Sequence, residues 1–435
     1  MNYFSICCII KDEDPFLDEW LTWHSLIGAE HFYIYDNDSA TPARTHPAVK
    51  KYLDAGRATV LEISGKEMQL KVYNHCLQEF GKDNFWIAFI DLDEFICLRT
   101  PGREIMDVRP LLAEFEDQAG LGLNWQPFTS NGLLGSPDDL VISSYTRIPV
   151  KRNRDNCHIK SIMRPPHAVS AKNAHTFLTS PGYQMVNEEH RPIPQGWPFS
   201  QPSYGRIWLN HYHYKSQQDY EFKIARGRAD VVKDDNADLK YRAFYAHLND
   251  TSKKTLEIAK HAPYVRDWVE CDEVPPQLPV PGNDSGQNGL GNYLELCQEF
   301  LSGKRTLATM PDGANGTGGA DTASTSRERS LNLAQAVLCK AVCFFEGEQQ
   351  LWVVRATLYR LQGNFEIAWR FINKAIGMGE HPFVYDELFH LTLVSKGKEK
   401  AAEVLEYMKD LPRYRPDDPA YVQKLELYEK LVRGN

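Results

Sequence analysis

Apolar and polar positions over the first 95 residues alternate between two periods. Residues 4–10 are apolar except for Ser5 and read as a buried strand. Asp14-Pro15 then offers a helix N-cap with Pro at the first helical position, and Phe16, Leu17, Trp20, Leu21, His24 and Ile27 recur at helical spacing up to Gly28. Residues 32–35 are strand-like and run into the turn-forming Asp36-Asn37-Asp38-Ser39. A helix near 44–53, stopped by Gly56, precedes a strand at 58–63. Met68, Val72, Tyr73, Cys76, Leu77 and Phe80 make the next helical stripe, and 85–90 is a fourth strand. Strand and helix alternating in this way predict an α/β domain with a doubly wound, mostly parallel sheet, because parallel neighbours need crossover connections. Ligands of such sheets bind beyond the carboxyl ends of the strands. The segments 11–14, 36–39 and 91–94 all fall there, so three acidic loops converge on one rim.

Beyond residue 120 the pattern breaks into shorter strand candidates at 120–125, 141–147, 158–164 and 206–214, separated by loops rich in Pro, Asn and His. Residues 216–230 return to helical spacing. The stretches 275–291 and 310–326 are rich in Pro, Gly, Ser and Asn and read as linkers around a short helix at 293–302. After Leu331 the pattern is helical throughout. Trp352, Ala356, Tyr359, Gly363, Ala368, Ile372 and Ala375 follow tetratricopeptide spacing, with Arg355 where that repeat usually has Leu. Gly397 and Ala402 recur 34 residues after Gly363 and Ala368. An ordinary helical bundle is the alternative; either way the tail is a packing and docking element. The expected organisation is an α/β domain over 1–270, a linker over 271–330 and a helical repeat domain over 331–435.

Composition narrows the class. A length of 435 residues, 25% of them charged and 11% aromatic, suits a multidomain globular enzyme. The net charge of -9 gives no overall pull toward nucleic acid, so a bound phosphate needs a local cation cluster or a metal. The longest apolar run, 85–90, has six residues, against roughly 18 needed to span a bilayer. The first residues lack the basic and apolar regions of a secretory signal, and the nine cysteines include no CxxC pair. A reducing, cytoplasmic setting is the expectation, peripheral attachment to the inner face of a membrane being compatible with it.

Asp91-Leu92-Asp93-Glu94 follows the fourth strand directly. Alternate residues at a strand end share a face, so Asp91 and Asp93 can meet one divalent cation and leave it room for phosphate oxygens; a plain surface turn is the alternative. In Asn210-His211-Tyr212-His213-Tyr214-Lys215-Ser216 the same alternation puts His211 and His213 on one face. Arg147, Lys151, Arg152, Arg154, Lys160 and Arg164 set six positive residues against one acid, Asp155, within 18 positions. That reversal of charge suits an anionic ligand or, alternatively, a solvated face. The Gly-rich 313–319 stretch has no following Lys-Ser/Thr, 120–125 lacks the third Gly of a dinucleotide fingerprint, and there is no GxSxG elbow.

Taken together, several segments resemble the glycosyltransferases of family 92 and the related family 2-like bacterial enzymes. They are Ile9-Ile10-Lys11-Asp12-Glu13 with Glu19-Trp20-Leu21 and His24, residues 31–39, 69–76 and 86–95, Lys160-Ser161-Ile162-Met163-Arg164-Pro165, and 210–216. The resemblance spans roughly residues 3–230, about half of the chain. It implies a GT-A fold, a nucleotide-sugar donor (a UDP-sugar foremost), and Mn²⁺ or Mg²⁺ held through Asp91 and Asp93, with His211 as the preferred further ligand. Lys215, Lys223 and Arg226 would balance the pyrophosphate, while Lys11, Glu13, Asp36, Asn74 and Asp91 would bind the rest of the donor; a pair of surface histidines is the alternative for His211 and His213, and a solvated turn or a helix cap for Lys11, Glu13, Asp36 and Asn74. The implied inverting displacement needs a carboxylate base. Glu188, Glu189 and Asp155 are available, and the family-like stretch around 186–192 favours Glu188. The expected function is metal-dependent sugar transfer to a glycan or lipid-linked acceptor in surface polysaccharide assembly, with the repeats docking a protein partner or a second copy. The alternative is a non-catalytic nucleotide-sugar-binding scaffold acting through its repeats.

Overall fold

The protein is described from a computed structural model over residues 1–100, 105–151, 154–226, 252–278, 289–302, 304, 323–411 and 419–433. It divides into two compact units, Met1–Pro279 and Ser326–Asn435, the latter joined by Val280–Thr306.

The first unit is built on a mixed sheet. Its parallel half takes β1 (Asn2–Ile10), β2 (His31–Asn37), β3 (Ala58–Ile63) and β4 (Asn84–Phe89) in the order β3-β2-β1-β4. Helices α1 (Leu17–Leu26), α2 (Pro47–Asp54) and α3 (Gln69–Phe80) make the crossovers. On α3's side of the sheet, Cys7, Ile9, Tyr33, Tyr35, Ile87 and Phe89 pack with Val72, Tyr73 and Cys76 in one buried cluster. Cys7 and Ile9 of β1 belong to it, and Ile6, Cys8 and Ile10 beside them are buried too, so this end of the strand reads as a continuous apolar run. This is the alternating strand-and-helix arrangement around parallel strands that the pattern predicts, and a helical unit follows it.

Beyond β4 the sheet turns mixed. A short β5 (Glu94–Leu98) follows the acidic turn, β6 (Gly120–Pro127) comes next, and β7 (Arg147–Pro149) lies apart. The strand β8 (Ile159–Met163) runs antiparallel between β4 and β6. After the hairpin β9 (Ala168–Ala171) and β10 (Phe177–Thr179), β11 (Met185–Val186) and β12 (Pro192–Ile193) extend the edge. Then β13 (Ile207–His211) pairs with β5 antiparallel and with β6 in parallel, and β14 (Ser252–Lys254) pairs with β7.

Two local expectations fail for tertiary reasons. Asp14 does not cap α1: Asp14–Phe16 forms a turn of 3-10 helix ahead of it, with no side-chain cap. Residues 141–147 are not one strand, because Val141–Ser144 is a helical turn. The buried Glu19 carboxylate accepts its first amides, Val141 N at 2.6 Å and Ile142 N at 2.9 Å, and so caps it from α1. The helix expected over 216–230 is seen as Gln217–Arg226, its remainder lying outside the described residues.

The second unit is helical throughout its described part: Gly289–Leu301, Ala323–Phe345, then Gln349–Leu361 with Phe365–Gly377, Pro382–Lys396 with Lys398–Asp410, and Pro419–Arg433. Gly289–Leu301 packs here, Tyr293 against Phe345 with ring centroids 5.7 Å apart. Gly363 and Gly397 both end helices at positive φ, 79° and 90°. The step from glycine to the next helix is one residue shorter in the second case, since Gly397 directly precedes its helix whereas Asn364 intervenes after Gly363. Ala401, not Ala402, therefore takes the buried position corresponding to Ala368. Arg355 is buried with its guanidinium 4.3 Å from the Phe371 ring and 5.0 Å from that of Trp352, which is how a charged residue fills a Leu position. Among the described residues no helix is long and apolar enough to cross a membrane.

Candidate active site

Where β4 ends, the chain makes a tight turn: Ile90 N still bonds Cys7 O at 3.2 Å, and Glu94 N bonds Asp91 O at 3.1 Å. The two aspartates of that turn meet different partners. Asp93 faces the end of β13, where His211 Nε2 lies 3.7 Å from Oδ1 and His213 Nδ1 lies 3.9 Å from Oδ2. Lys223 of α4 (Gln217–Arg226) donates to Asp93 Oδ2, its Nζ also 3.0 Å from His213 Nδ1. One ligand atom each from Asp93, His211 and His213 lies within 4.8 Å of the others. Backbone bonds fix the pair of elements that carry them: Tyr212 N donates to Asp93 O at 2.8 Å, and His211 stands opposite Glu94 of β5 and Pro127 of β6.

The electrostatics suit a cation. Burial opposes ionisation of Asp93, but the Lys223 ammonium, with His211, Lys215 and His213 around it, holds its carboxyl well below the usual carboxylate range. Burial pushes His211 down to about 3, more than Asp93 offsets, so this imidazole is neutral at ordinary pH and the lysines carry the charge that stabilises Asp93. A neutral imidazole beside an ionised carboxylate is the state a divalent metal requires of its ligands. The ammonium already lodged between Asp93 and His213 marks the spot as one that favours positive charge. A metal fits this donor set, and two imidazoles with one carboxylate suit Mn²⁺ better than Mg²⁺.

Asp91 is held away from those ligands. Its oxygens accept from Gln69 Nε2 and from Lys160 Nζ, both at 2.8 Å. Lys160 interrupts the apolar β8, is buried, and also lies 3.3 Å from the Tyr73 hydroxyl and 3.6 Å from Glu94 Oε2. Burial works against its charge, but Asp91 and Glu94 raise it well above the usual lysine range; burial likewise pushes the Glu94 carboxyl well up. Glu94 Oε2 accepts from Asp91 N at 2.7 Å, while its Oε1 is buried without a hydrogen-bond partner. His213 thus joins His211 on the face their alternation implied, while Glu94, Gln69 and Tyr73 are site neighbours to which sequence reasoning gave no role, and Lys160, read there as one of a basic run, is instead the buried partner of Asp91. The single Lys inside an apolar strand was the signal available for Lys160.

The loops after β1 and β2 are joined as expected: Asp12 N donates to Ser39 Oγ at 3.0 Å and Ala40 N to Asp12 Oδ1 at 2.7 Å. Lys11 is half-buried and Glu13 buried in the first of these loops. Asp36 spends its oxygens on the second, accepting from Ser39 N at 3.1 Å and Ala43 N at 2.7 Å. Asn74 Oδ1 accepts from Ala171 N at 2.8 Å, tying α3 to β9. Lys215, in the left-handed region at φ 41°, sets its ammonium 3.7 Å from the Phe16 ring centroid. The Arg226 side chain lies outside the described residues. Asp155 is half-buried in the turn Arg154–Cys157, its carbonyl accepting His158 N at 3.1 Å.

Glu188 is placed differently from the expectation of a base. Its Oε1 accepts from Ser203 Oγ and from Gly205 N at 2.6 Å, and its Oε2 from Arg206 N at 2.6 Å and Ile207 N at 2.8 Å. Four donors occupy a buried carboxylate that fastens the entry to β13, so no lone pair is left to receive a substrate proton. The six-residue basic run does not form one patch either. Arg147 bonds Ser252, Arg164 stacks on Phe85 at 3.7 Å, and Lys160 is the buried partner of Asp91; Arg152 lies outside the described residues. A separate cavity of about 620 Å³ is lined by Trp208, Asn210, Gln126 and Lys253 and contains none of the cluster's ligands.

Comparisons with known proteins point to one family. The family model "Glycosyltransferase family 92" matches residues 3–195. A family 92 protein from Ricinus communis is 27% identical over 233 residues, covering 53% of this chain and 38% of that one. A family 92 protein from Oryza sativa subsp. japonica is 25% identical over 239 residues, covering 53% and 36%. The chain thus spans little more than a third of the length of the curated relatives it matches. Among solved structures, S. aureus TarS 1-349 is similar at 12% identity, with 87% of this chain and 92% of that one covered; the TM-score of 0.27 is too low to carry an argument.

Proposed function

With residues 3–195 forming a glycosyltransferase family 92 domain, we propose that this chain transfers a sugar, with inversion, from a nucleoside-diphosphate donor to a glycan or lipid-linked acceptor. The observation that carries the reading is the acid-and-imidazole cluster of Asp93, His211 and His213 just beyond the carboxyl end of β4, the edge at which the parallel strands β1 and β2 also end. Asp93, His211 and His213 would hold a divalent cation, Mn²⁺ by preference, which when bound neutralises charge on the departing diphosphate. Asp91, clamped by Lys160, offers an oriented carboxylate toward the donor without joining the metal ligands. Lys11, Lys215 and Lys223 supply positive charge for the pyrophosphate. Lys223, which donates to Asp93 beside His213, would have to give up that bond where a cation is held and could then meet a phosphate oxygen of the donor. With Glu188 occupied, Asp155 and Glu189 remain; Glu189 pairs with Arg191, whereas Asp155 acts on His158, which in turn neighbours His211, and is the carboxylate assigned to the acceptor proton. The helical hairpins of the second unit serve as a docking element for a protein partner or a second copy.

The test is thermal unfolding with UDP, with and without Mn²⁺. A ligand that binds only the folded chain raises the melting temperature, by the equivalent of about 2.7 kcal/mol at a hundredfold excess over Kd. UDP with Mn²⁺ should give the shift, UDP alone little of it, and Asp93→Asn should abolish the difference, since the amide keeps the shape and loses the charge. Equal UDP binding with and without metal, or in Asp93→Asn, overturns the proposed role of the cluster.

A further inference from the structure

A row of aromatic rings runs from the Asp93 cluster to the surface. His211 meets the indole of Trp125 at 4.0 Å between ring centroids, and Trp125 stacks on His158 at 4.8 Å. His158 meets Phe199 at 4.7 Å, and Phe199 meets Trp197 at 5.5 Å. The inner members are partly accessible and Trp197 is 54% exposed. An indole this open is costly in water, and a continuous line of such rings on a folded surface marks a place where something apolar-faced binds.

The row is built rather than incidental. The segment carrying Phe199 is fastened to the one carrying His158 by a backbone bridge between the two residues, with Ile159 N to Pro198 O at 3.2 Å and Ser200 N to Cys157 O at 2.8 Å. Trp197 follows a turn in which Gly196 adopts φ 73° and its carbonyl accepts from Asn173 Nδ2 at 3.1 Å. The rings are therefore fixed before a ligand arrives, and little ordering entropy is lost on binding. Polar groups border them: Arg154 lies 5.3 Å over the Phe199 ring, and Asp155 neighbours His158.

Flat aliphatic faces beside hydroxyl-bearing edges describe a pyranose ring, whose axial C–H groups stack on aromatic faces while its hydroxyls reach neighbouring polar side chains. We propose that Trp125, His158, Phe199 and Trp197 form the platform on which the acceptor carbohydrate lies, its reactive end at the His211 side and its extension running outward over Trp197. This rests on the transferase reading above, and it deepens that reading by naming the acceptor as an oligosaccharide of more than one unit. It also places Asp155 alongside the acceptor.

The experiment is saturation-transfer NMR on the full chain with maltotriose, cellotriose and chitotriose as probes, run beside the UDP–Mn²⁺ melting test. At least one probe should receive saturation on its ring C–H protons. Trp197→Ala should weaken that binding about tenfold, Trp197→Phe should restore most of it, and neither should alter the UDP–Mn²⁺ shift. Because Trp197 is so exposed, both variants should fold, and an unchanged melting temperature without ligand verifies it. No saturation of any probe, saturation indifferent to Trp197→Ala, or loss of the UDP shift in that variant overturns the platform. A chain that binds a probe through Trp197 but shows no UDP–Mn²⁺ shift keeps the carbohydrate platform and loses the transferase reading, so the two failures are distinguishable.

Discussion

Replacing Glu188 by Gln separates a base from a fastener. Each carboxylate oxygen accepts from two donors, Ser203 Oγ and Gly205 N on one side and Arg206 N and Ile207 N on the other. An amide can present its oxygen to only one of these pairs; its NH₂ then faces the other. With the NH₂ toward Arg206 N and Ile207 N two bonds to a charged acceptor are lost, whereas with it toward Ser203 the hydroxyl can turn and accept, leaving Gly205 N unpaired; at roughly 1.5 to 3 kcal/mol per lost bond the better orientation still costs about 1.5 to 3 kcal/mol. That is an appreciable share of the ~5 to 15 kcal/mol holding a typical domain together. Glu188 is 5% exposed, so water cannot rescue the orphaned amide. Urea unfolding followed by tryptophan fluorescence in the first unit should show the loss, with Glu189→Gln as a matched control. Glu189 and its partner Arg191 are largely exposed, and that change should cost less than about 1 kcal/mol. Full stability in Glu188→Gln together with lost sugar transfer would refute the reasoning and return Glu188 to the role of base.

Two further outcomes follow from buried charges. Lys160→Met leaves Asp91 and the buried Glu94 without their cation and should cost about 3 to 5 kcal/mol in the same assay, with Lys160→Met/Glu94→Gln recovering part of it; a neutral single variant would mean the cluster is uncharged. His24, which bridges Trp20 O and Ile96 N, is lowered by burial to about 3 from the ordinary 6.5. The unfolded chain therefore binds more protons between those values, so this contribution is complete above pH 6.5 and is lost as pH falls, by about 3 kcal/mol between pH 7 and pH 4. His24→Gln, which keeps a donor and an acceptor, should flatten the fall in unfolding free energy by about that amount, and an unchanged slope would show that His24 is accessible to protons in the folded state.

Local pattern alone determined the first half of the sheet. Runs such as 4–10 and 85–90 are apolar enough to be buried on both faces, and the intervening helical stripes leave a parallel order as the simplest solution. The same alternation put Asp91 and Asp93 at a strand end and His211 and His213 on one face, because a period of two is a property of the backbone and not of its neighbours. Which carboxylate joins which partner was decided elsewhere. Asp91 and Asp93 differ only in what the fold brings to them, Lys160 from an antiparallel strand in one case and the end of β13 in the other. Glu19 turning 141–144 into a helix and Glu188 collecting the amides of 205–207 belong to the same class. A carboxylate has the same composition whether it caps, clamps or binds metal, and long-range pairing chooses among them, since desolvation leaves each buried charge only the partners that the tertiary fold supplies.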